Sequence, residues 1–173
     1  MTKLDTSRDF VPLNIAVLTV SDTRTEETDK SGKTLQDRAA EAGHNVVAKV
    51  ILPDDEDGLV EQFNRWCDDE TIQVIISTGG TGVTARDVTP EAVDRVVDKH
   101  IPGFGELFRQ LSYDDIGTST IQSRATAGLK NKTYIFALPG STGACRDGWD
   151  KILVHQLDNR TRPCNFAELI ARL

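Results

Sequence analysis

A chain of 173 residues with 38% hydrophobic content is long enough to bury one core, and a single domain over residues 1–173 is expected, with 1–12 as a flexible N-terminal segment. Twenty Lys and Arg against 27 Asp and Glu leave a formal charge of −7. That balance argues against counterion-driven contact with nucleic acid or an anionic membrane surface, so an anionic ligand has to be held locally. No apolar run approaches the ~18 residues of a membrane span and Met1 to Asp5 starts no apolar leader, which makes a cytoplasmic protein the expectation. Cys67, Cys145 and Cys164 lie far apart, as do His44, His100 and His155, so neither a disulfide framework nor a His/Cys metal site is legible.

In chain order, Leu13 to Val20 is a β-rich apolar run and the first expected strand. Leu35, Ala39 and Ala42 then recur at helical spacing within Ser31 to Ala42, and Gly43 supplies a stop. A second strand follows at Asn45 to Leu52. Leu59, Phe63 and Trp66 form the apolar stripe of a helix over about Asp57 to Asp68, and Gln73 to Ser77 is the third strand. Thr89-Pro90-Glu91 reads as an N-cap, a proline at the first helical position and an acid favoured by the helix dipole, with the helix running to about Asp98. Another helix after Pro102 uses Leu107, Phe108 and Leu111 until the polar stretch around Asp114 to Thr120 breaks it. Two helices with no strand between them point to an insertion, and Ile121 to Gly128 fits no single pattern. Thr133 to Leu138 is the fourth strand, Thr142 to His155 the last crossover helix, and Phe166 to Leu173 a short docking helix. Strands alternating with helices predict an α/β fold, a mostly parallel sheet with helices on both faces.

Ligands of open parallel sheets sit beyond the carboxyl ends of the strands. The loops to search are therefore Ser21 to Arg24, Pro53 to Asp57, Thr78 to Gly82 and Pro139 to Gly143. Gly79-Gly80-Thr81-Gly82 is the most informative, because glycines allow positive φ and close backbone approach, so that successive N–H groups can cradle phosphate. A tight turn that binds nothing reads the same residues. Pro139-Gly140-Ser141 is a weaker version of the signal. Asp54 and Asp87 stand where carboxylates beside a phosphate would hold Mg²⁺, although each alone also reads as a surface charge or a capping turn. Gly32-Lys33-Thr34 lacks the first glycine of a P-loop, since Glu27 occupies that place. Gly80, Gly82 and Ala85 fit a loose dinucleotide pattern, but the next helix starts only near Pro90.

Ser77 to Gly82 followed by Arg86-Asp87-Val88-Thr89-Pro90-Glu91-Ala92 resembles the signature of the MoaB/MogA family of molybdenum cofactor biosynthesis. The resemblance continues through Ile101 to Glu106, Ser123 to Gly128 and Leu138 to Ser141, and so covers about Asn14 to His155; Thr161 to Phe166 is similar to one bacterial branch. It implies the three-layer α/β fold shared with the gephyrin G domain, a homotrimer or homohexamer, and association with other proteins of the pathway. It also implies binding of molybdopterin and, in active members, its adenylylation from Mg·ATP with release of pyrophosphate, without a tightly bound prosthetic group. Carried over residue by residue, Asp54 and Asp87 are the catalytic and Mg²⁺-holding candidates, and Gly79, Gly80, Thr81 and Gly82 contact phosphate or pterin. Ser21, Asp22, Glu106, Ser123, Arg124, Pro139, Gly140 and Ser141 complete the implied pocket. One departure stands out: many members carry Pro-Gly-Asn-Pro or Pro-Gly-Gln-Pro where this chain has Pro139-Gly140-Ser141-Thr142. The missing second proline frees that loop and leaves a non-catalytic molybdopterin-binding or carrier protein as the alternative to the enzyme.

Overall fold

The computed structural model describes residues 3–173. Its main sheet has six strands in the order β3-β2-β4-β7-β6-β5. β2 (Asn14–Val20), β3 (Asn45–Leu52), β4 (Val74–Thr78) and β7 (Thr133–Leu138) run parallel, while β6 (Thr126–Lys130) and β5 (Lys99–His100) add an antiparallel edge. β2, β4 and β7 are buried along nearly their whole length because helices cover both faces.

Alternation along the strands divides the core in two. Ile15, Val17, Val74, Ile76, Phe136 and Leu138 pack with Leu35 of α1 (Lys30–Glu41), Phe104 and Phe108 of α4 (Pro102–Ile116), and Cys145 of α5 (Thr142–Gly148). Ala16, Leu18, Ile75 and Ile135 face the other way, toward Leu59, Phe63 and Trp66 of α2 (Glu56–Cys67) and Ala92 and Val93 of α3 (Thr89–Val96). The period of two along each strand thus builds the three layers.

Local chemistry sets the helix starts. Asp29 and Asp55 cap α1 and α2 by accepting the Gly32 and Gly58 N–H groups at 2.9 Å each, and Glu56 and Asp57 complement the α2 dipole. Gly43, at φ +93, closes the turn after α1. α5 continues through a π-turn at Trp149–Leu153 into α6 (Val154–Gln156), together spanning the expected last crossover helix.

Two regions differ from the sequence-based expectation. The helix after Pro102 does not break at Asp114 but continues to Ile116, because Asp115 is exposed and engages Lys151 at 2.6 Å; Gly117, at φ +57, ends it and a 3₁₀ turn covers Gly117–Gln122. The helices expected to form an insertion without a strand in fact flank β5, which pairs with β6 out of the region that fitted no pattern.

Residues 3–12 of the expected flexible segment are tied to the C-terminal end. β1 (Lys3–Leu4) pairs antiparallel with β8 (Thr161–Arg162), Arg8 reaches the Asn159 carbonyl at 2.9 Å, and the Val11 N–H donates to Asn159 Oδ1 at 2.9 Å. The last segment is shorter than expected, α7 covering Phe166–Ile170, with Asn165 capping it through the Glu168 N–H at 2.7 Å. Under this strap His44 is 5% exposed, its Nδ1 accepts the Leu13 N–H at 3.1 Å, and its ring packs between Phe10 and Trp149.

Two stability predictions follow from this packing. Phe136→Ala, at a fully buried position in the middle of the sheet, should cost about 3–5 kcal/mol in denaturant unfolding. Burial holds the His44 imidazole below its ordinary pKa, so under about pH 6.5 the unfolded chain binds a proton that the folded protein refuses. The stability contributed by neutral His44 is therefore complete above that pH and is lost as pH falls toward the depressed native value. Thermal unfolding at about pH 7.5 and about pH 5.5 should show a drop in Tm that is smaller in His44→Gln; an equal drop in both proteins would exclude His44 as its source.

Candidate functional site

β2 leads through α1 to β3 on one side, whereas β3 crosses back through α2 to β4 on the other side of β2. The direction of winding therefore reverses between β2 and β4, and the loops leaving their carboxyl ends diverge to open a cleft. That cleft has a volume of 760 Å³.

Its floor is the glycine loop after β4. Gly79 and Gly80 adopt φ +105 and +64; a Cβ on Gly79 would overlap the Val20 carbonyl oxygen, and one on Gly80 would overlap the Thr89 hydroxyl. Only glycine lets the chain turn this close to β2. Four successive carbonyls of the loop are then taken by protein donors. Thr89 Oγ1 donates to Gly79 O at 2.8 Å and the Thr89 N–H to Gly80 O at 3.0 Å. The Arg124 N–H donates to Thr81 O at 2.9 Å and its Nε to Gly82 O at 2.6 Å. By contrast, the Gly80 and Thr81 N–H groups meet no protein acceptor among the described residues. Satisfied acceptors beside free donors make this segment attractive to an anion.

Two carboxylates flank the loop. Asp54 Oδ1 lies 3.1 Å from where a Gly80 Cβ would stand, and Asp87 Oδ2 lies 2.8 Å from the equivalent point on Gly82. Their environments differ. Burial pushes the Asp54 carboxyl above its usual pKa, the charges of Asp22 and Asp87 add to this, and Arg86 opposes it. A backbone hydrogen bond from Asp22 also opposes it, as the smallest of these effects. Burial also acts to raise Asp87, but hydrogen bonds outweigh it and hold the carboxyl below its usual range: Asp87 accepts from the Thr84 hydroxyl at 2.7 Å and the Thr84 N–H at 2.8 Å, with help from the Gly82 N–H and the Arg124 charge.

The remaining walls come from separate elements. Asp29 is buried; burial alone would raise its pKa, yet Lys49 at 2.8 Å, the Gly32 N–H and the Thr19 hydroxyl lower it. Ser31 Oγ donates to Gly140 O at 2.7 Å and Thr78 Oγ1 to Pro139 O at 2.9 Å, which fixes the loop after β7. Ser141 caps α5 by accepting the Ala144 N–H at 3.1 Å. The loop that lacks the second proline is thus anchored by hydrogen bonds.

Of the residues singled out in the sequence, Ser21, Asp54, Gly79, Gly80, Thr81, Gly82, Asp87, Ser123, Pro139, Gly140 and Ser141 line the cleft together. Asp22, Glu106 and Arg124 do not. Asp22 accepts the Asp54 N–H at 3.1 Å and pairs with Arg86; Arg124 stands behind the glycine loop; Glu106 is exposed on α4. Arg24, at the end of the first loop to be searched, also lines the cleft, whereas sequence reasoning assigned no site role to Asp29, Ser31, Arg86 and Arg146, all in the cleft wall. Arg86 adjoins Asp87 in the motif, and Asp29 precedes α1 in the manner of a helix cap, so both carried a local signal; Arg146 arrives only through folding. Among the described residues no group of three or more His, Cys, Asp or Glu side chains could hold a metal, and none of the helices is long and apolar enough to cross a membrane.

Residues 16–159 match the family described as a probable molybdopterin binding domain. The chain is 53% identical over 160 residues to molybdenum cofactor biosynthesis protein B of Escherichia coli (strain K12), covering 92% of this chain and 94% of that protein. It is 46% identical over 147 residues to the protein of the same name from Bacillus subtilis (strain 168), covering 84% and 86%. A crystal structure of a molybdenum cofactor biosynthesis protein B superposes with a TM-score of 0.89 at 40% identity, over 96% of this chain and all of that one. With the glycine loop, its flanking aspartates and the three-layer fold in place, the chain belongs to the MoaB/MogA family of molybdopterin-binding domains in molybdenum cofactor biosynthesis.

Proposed function

We propose that the cleft binds molybdopterin through its terminal phosphate and transfers AMP to that phosphate from Mg·ATP, releasing pyrophosphate, in a cytoplasmic homotrimer or homohexamer. The observation that carries this reading is the polarity of the glycine loop, whose carbonyls are all engaged while the Gly80 and Thr81 N–H groups are free. Such fixed donors cost no reorganisation when phosphate charge builds up. The cleft is also within the size range of small-molecule sites.

The donor set fits a divalent cation. Asp54 is a carboxylate without a salt-bridge partner among the described residues, in a field of further negative charge, and a hard cation takes one or two carboxylates plus water and phosphate oxygens. Asp54 and Asp87 are the residues that would hold it, and once bound it would supply charge neutralisation for the phosphates. The chain's own part is placement: the loop amides orient the phosphates, and the walls limit the approach of water. In the transfer, an oxygen of the pterin phosphate forms a bond to the α-phosphorus of ATP as the bond to the β-phosphate oxygen breaks, and the electron pair leaves with pyrophosphate. Positioning accounts for most of the acceleration.

A second reading has an observation in its favour. Asp87 Oδ2 already accepts two hydrogen bonds from Thr84, a commitment suited to a site that holds the pterin without transferring AMP. One assay separates the two. Purified protein with molybdopterin and Mg·ATP should yield pyrophosphate and adenylylated pterin in equal amounts, and Asp87→Ala or Asp54→Asn should lower kcat at least about 100-fold while pterin binding persists. Unchanged turnover in Asp87→Ala removes that residue from the mechanism, and pterin binding without wild-type transfer establishes the carrier reading.

A further inference from the structure

Several charges around the cleft are held in ion pairs, and one of these pairs stands apart. Asp29 is matched by Lys49, Asp115 and Asp147 share Lys151, and Glu91 meets Arg124. Beside the glycine loop, Arg86 is the guanidinium that offsets Asp22 and Asp54 together. It sits on the continuation of the loop that carries the free amides, lines the cleft, and reaches across its mouth so that Nε meets Asp22 Oδ2 at 3.1 Å, with Nη2 on the same oxygen. Asp22 turns its other oxygen to the Asp54 N–H. The Arg86 side chain is 65% exposed, so the pair is readily exchanged. A phosphate offers a guanidinium more acceptor oxygens and more charge than one carboxylate does.

We propose that Arg86 is the cleft's phosphate-gripping side chain and that Asp22 is a built-in stand-in for the ligand, holding the guanidinium across the mouth until a phosphate displaces it. Exchange has two consequences. The guanidinium swings from the β2 loop to the ligand, and Asp22 is left free beside Asp54, adding carboxylate oxygen where a divalent cation would bind. Phosphate binding and cation binding then reinforce each other. The inference rests on the reading of the cleft as a phosphate site and is independent of whether AMP is transferred.

The test is calorimetric titration of the whole chain with inorganic pyrophosphate in EDTA, for wild type, Asp22→Asn, Arg86→Gln and the double variant. Arg86→Gln should weaken binding at least about tenfold, as loss of a charged hydrogen-bonding partner. Asp22→Asn should tighten it about two- to fivefold, the scale of a released surface pair. In the Arg86→Gln background, Asp22→Asn should change almost nothing, because there is no guanidinium left to release. An equal gain from Asp22→Asn in both backgrounds would reduce Asp22 to simple repulsion and overturn the latch. So would Arg86→Gln that binds like wild type, or pyrophosphate that binds to none of the four. Since no AMP transfer is read here, a chain that passes this test yet fails the transfer assay retains the latch and loses only the enzyme assignment.

Discussion

The contact on which the rest depends is the approach of Gly79 to the Val20 carbonyl, where no side-chain carbon fits. It brings the end of β4 against the end of β2 and turns the chain at positive φ into the glycine loop. From there Thr89, at the start of α3, and Arg124, just before β6, take up the loop's carbonyls. A segment that would otherwise be an ordinary turn acquires a back that is fully bonded and amides with no partner. The chemistry of the cleft begins with that asymmetry.

Electrostatics refine it. A chain of net charge −7 cannot draw in a phosphate by its overall field, and the folded protein answers with local cations on a scale below the Debye length. Lys49 sits in the sheet beneath Asp29, Lys151 joins α4 to α5, and Arg124 ties the Gly82 and Asp87 carbonyls to Glu91. These three cations hold structure. Asp54 differs from the other carboxylates of the cleft because burial and its acidic neighbours act on it in the same direction. Stability and ligand chemistry thus use the same residue types, separated by whether a fixed partner is present.

The periphery supports this arrangement. The strap formed by residues 3–12 and the C-terminal segment covers His44 and the first turn of the sheet on the side away from the cleft mouth's glycine loop, so that Leu13 enters β2 already bonded. At one edge, β5 and β6 widen the sheet in antiparallel sense, with Ser123 reaching the cleft and Arg124 the back of the glycine loop. The extra strands therefore serve the site as well as the core.

Much of this was legible before folding. The four parallel strands appear as apolar β-rich runs and the helices as stripes such as Leu59, Phe63 and Trp66, since each is a local pattern with a local cause; Thr89, expected as the N-cap of α3, is instead its first residue and gives its hydroxyl to Gly79 O, a partner that only folding supplies. Asp54, Asp87 and the glycines could be named because the loops after parallel strands converge, a rule of topology that needs no coordinates. β6 was not legible: Thr126 to Lys130 is short and includes a glycine, and it becomes a strand by pairing with β7. Asp22 and Arg86 are 64 residues apart, and their pairing, like the move of Arg124 from pocket wall to loop support, depends on how the chain crosses itself. Local periodicity and strand order come from neighbours along the chain, whereas the partner of each charged side chain is chosen by tertiary packing, because a salt bridge requires proximity in space and leaves no spacing rule in the sequence.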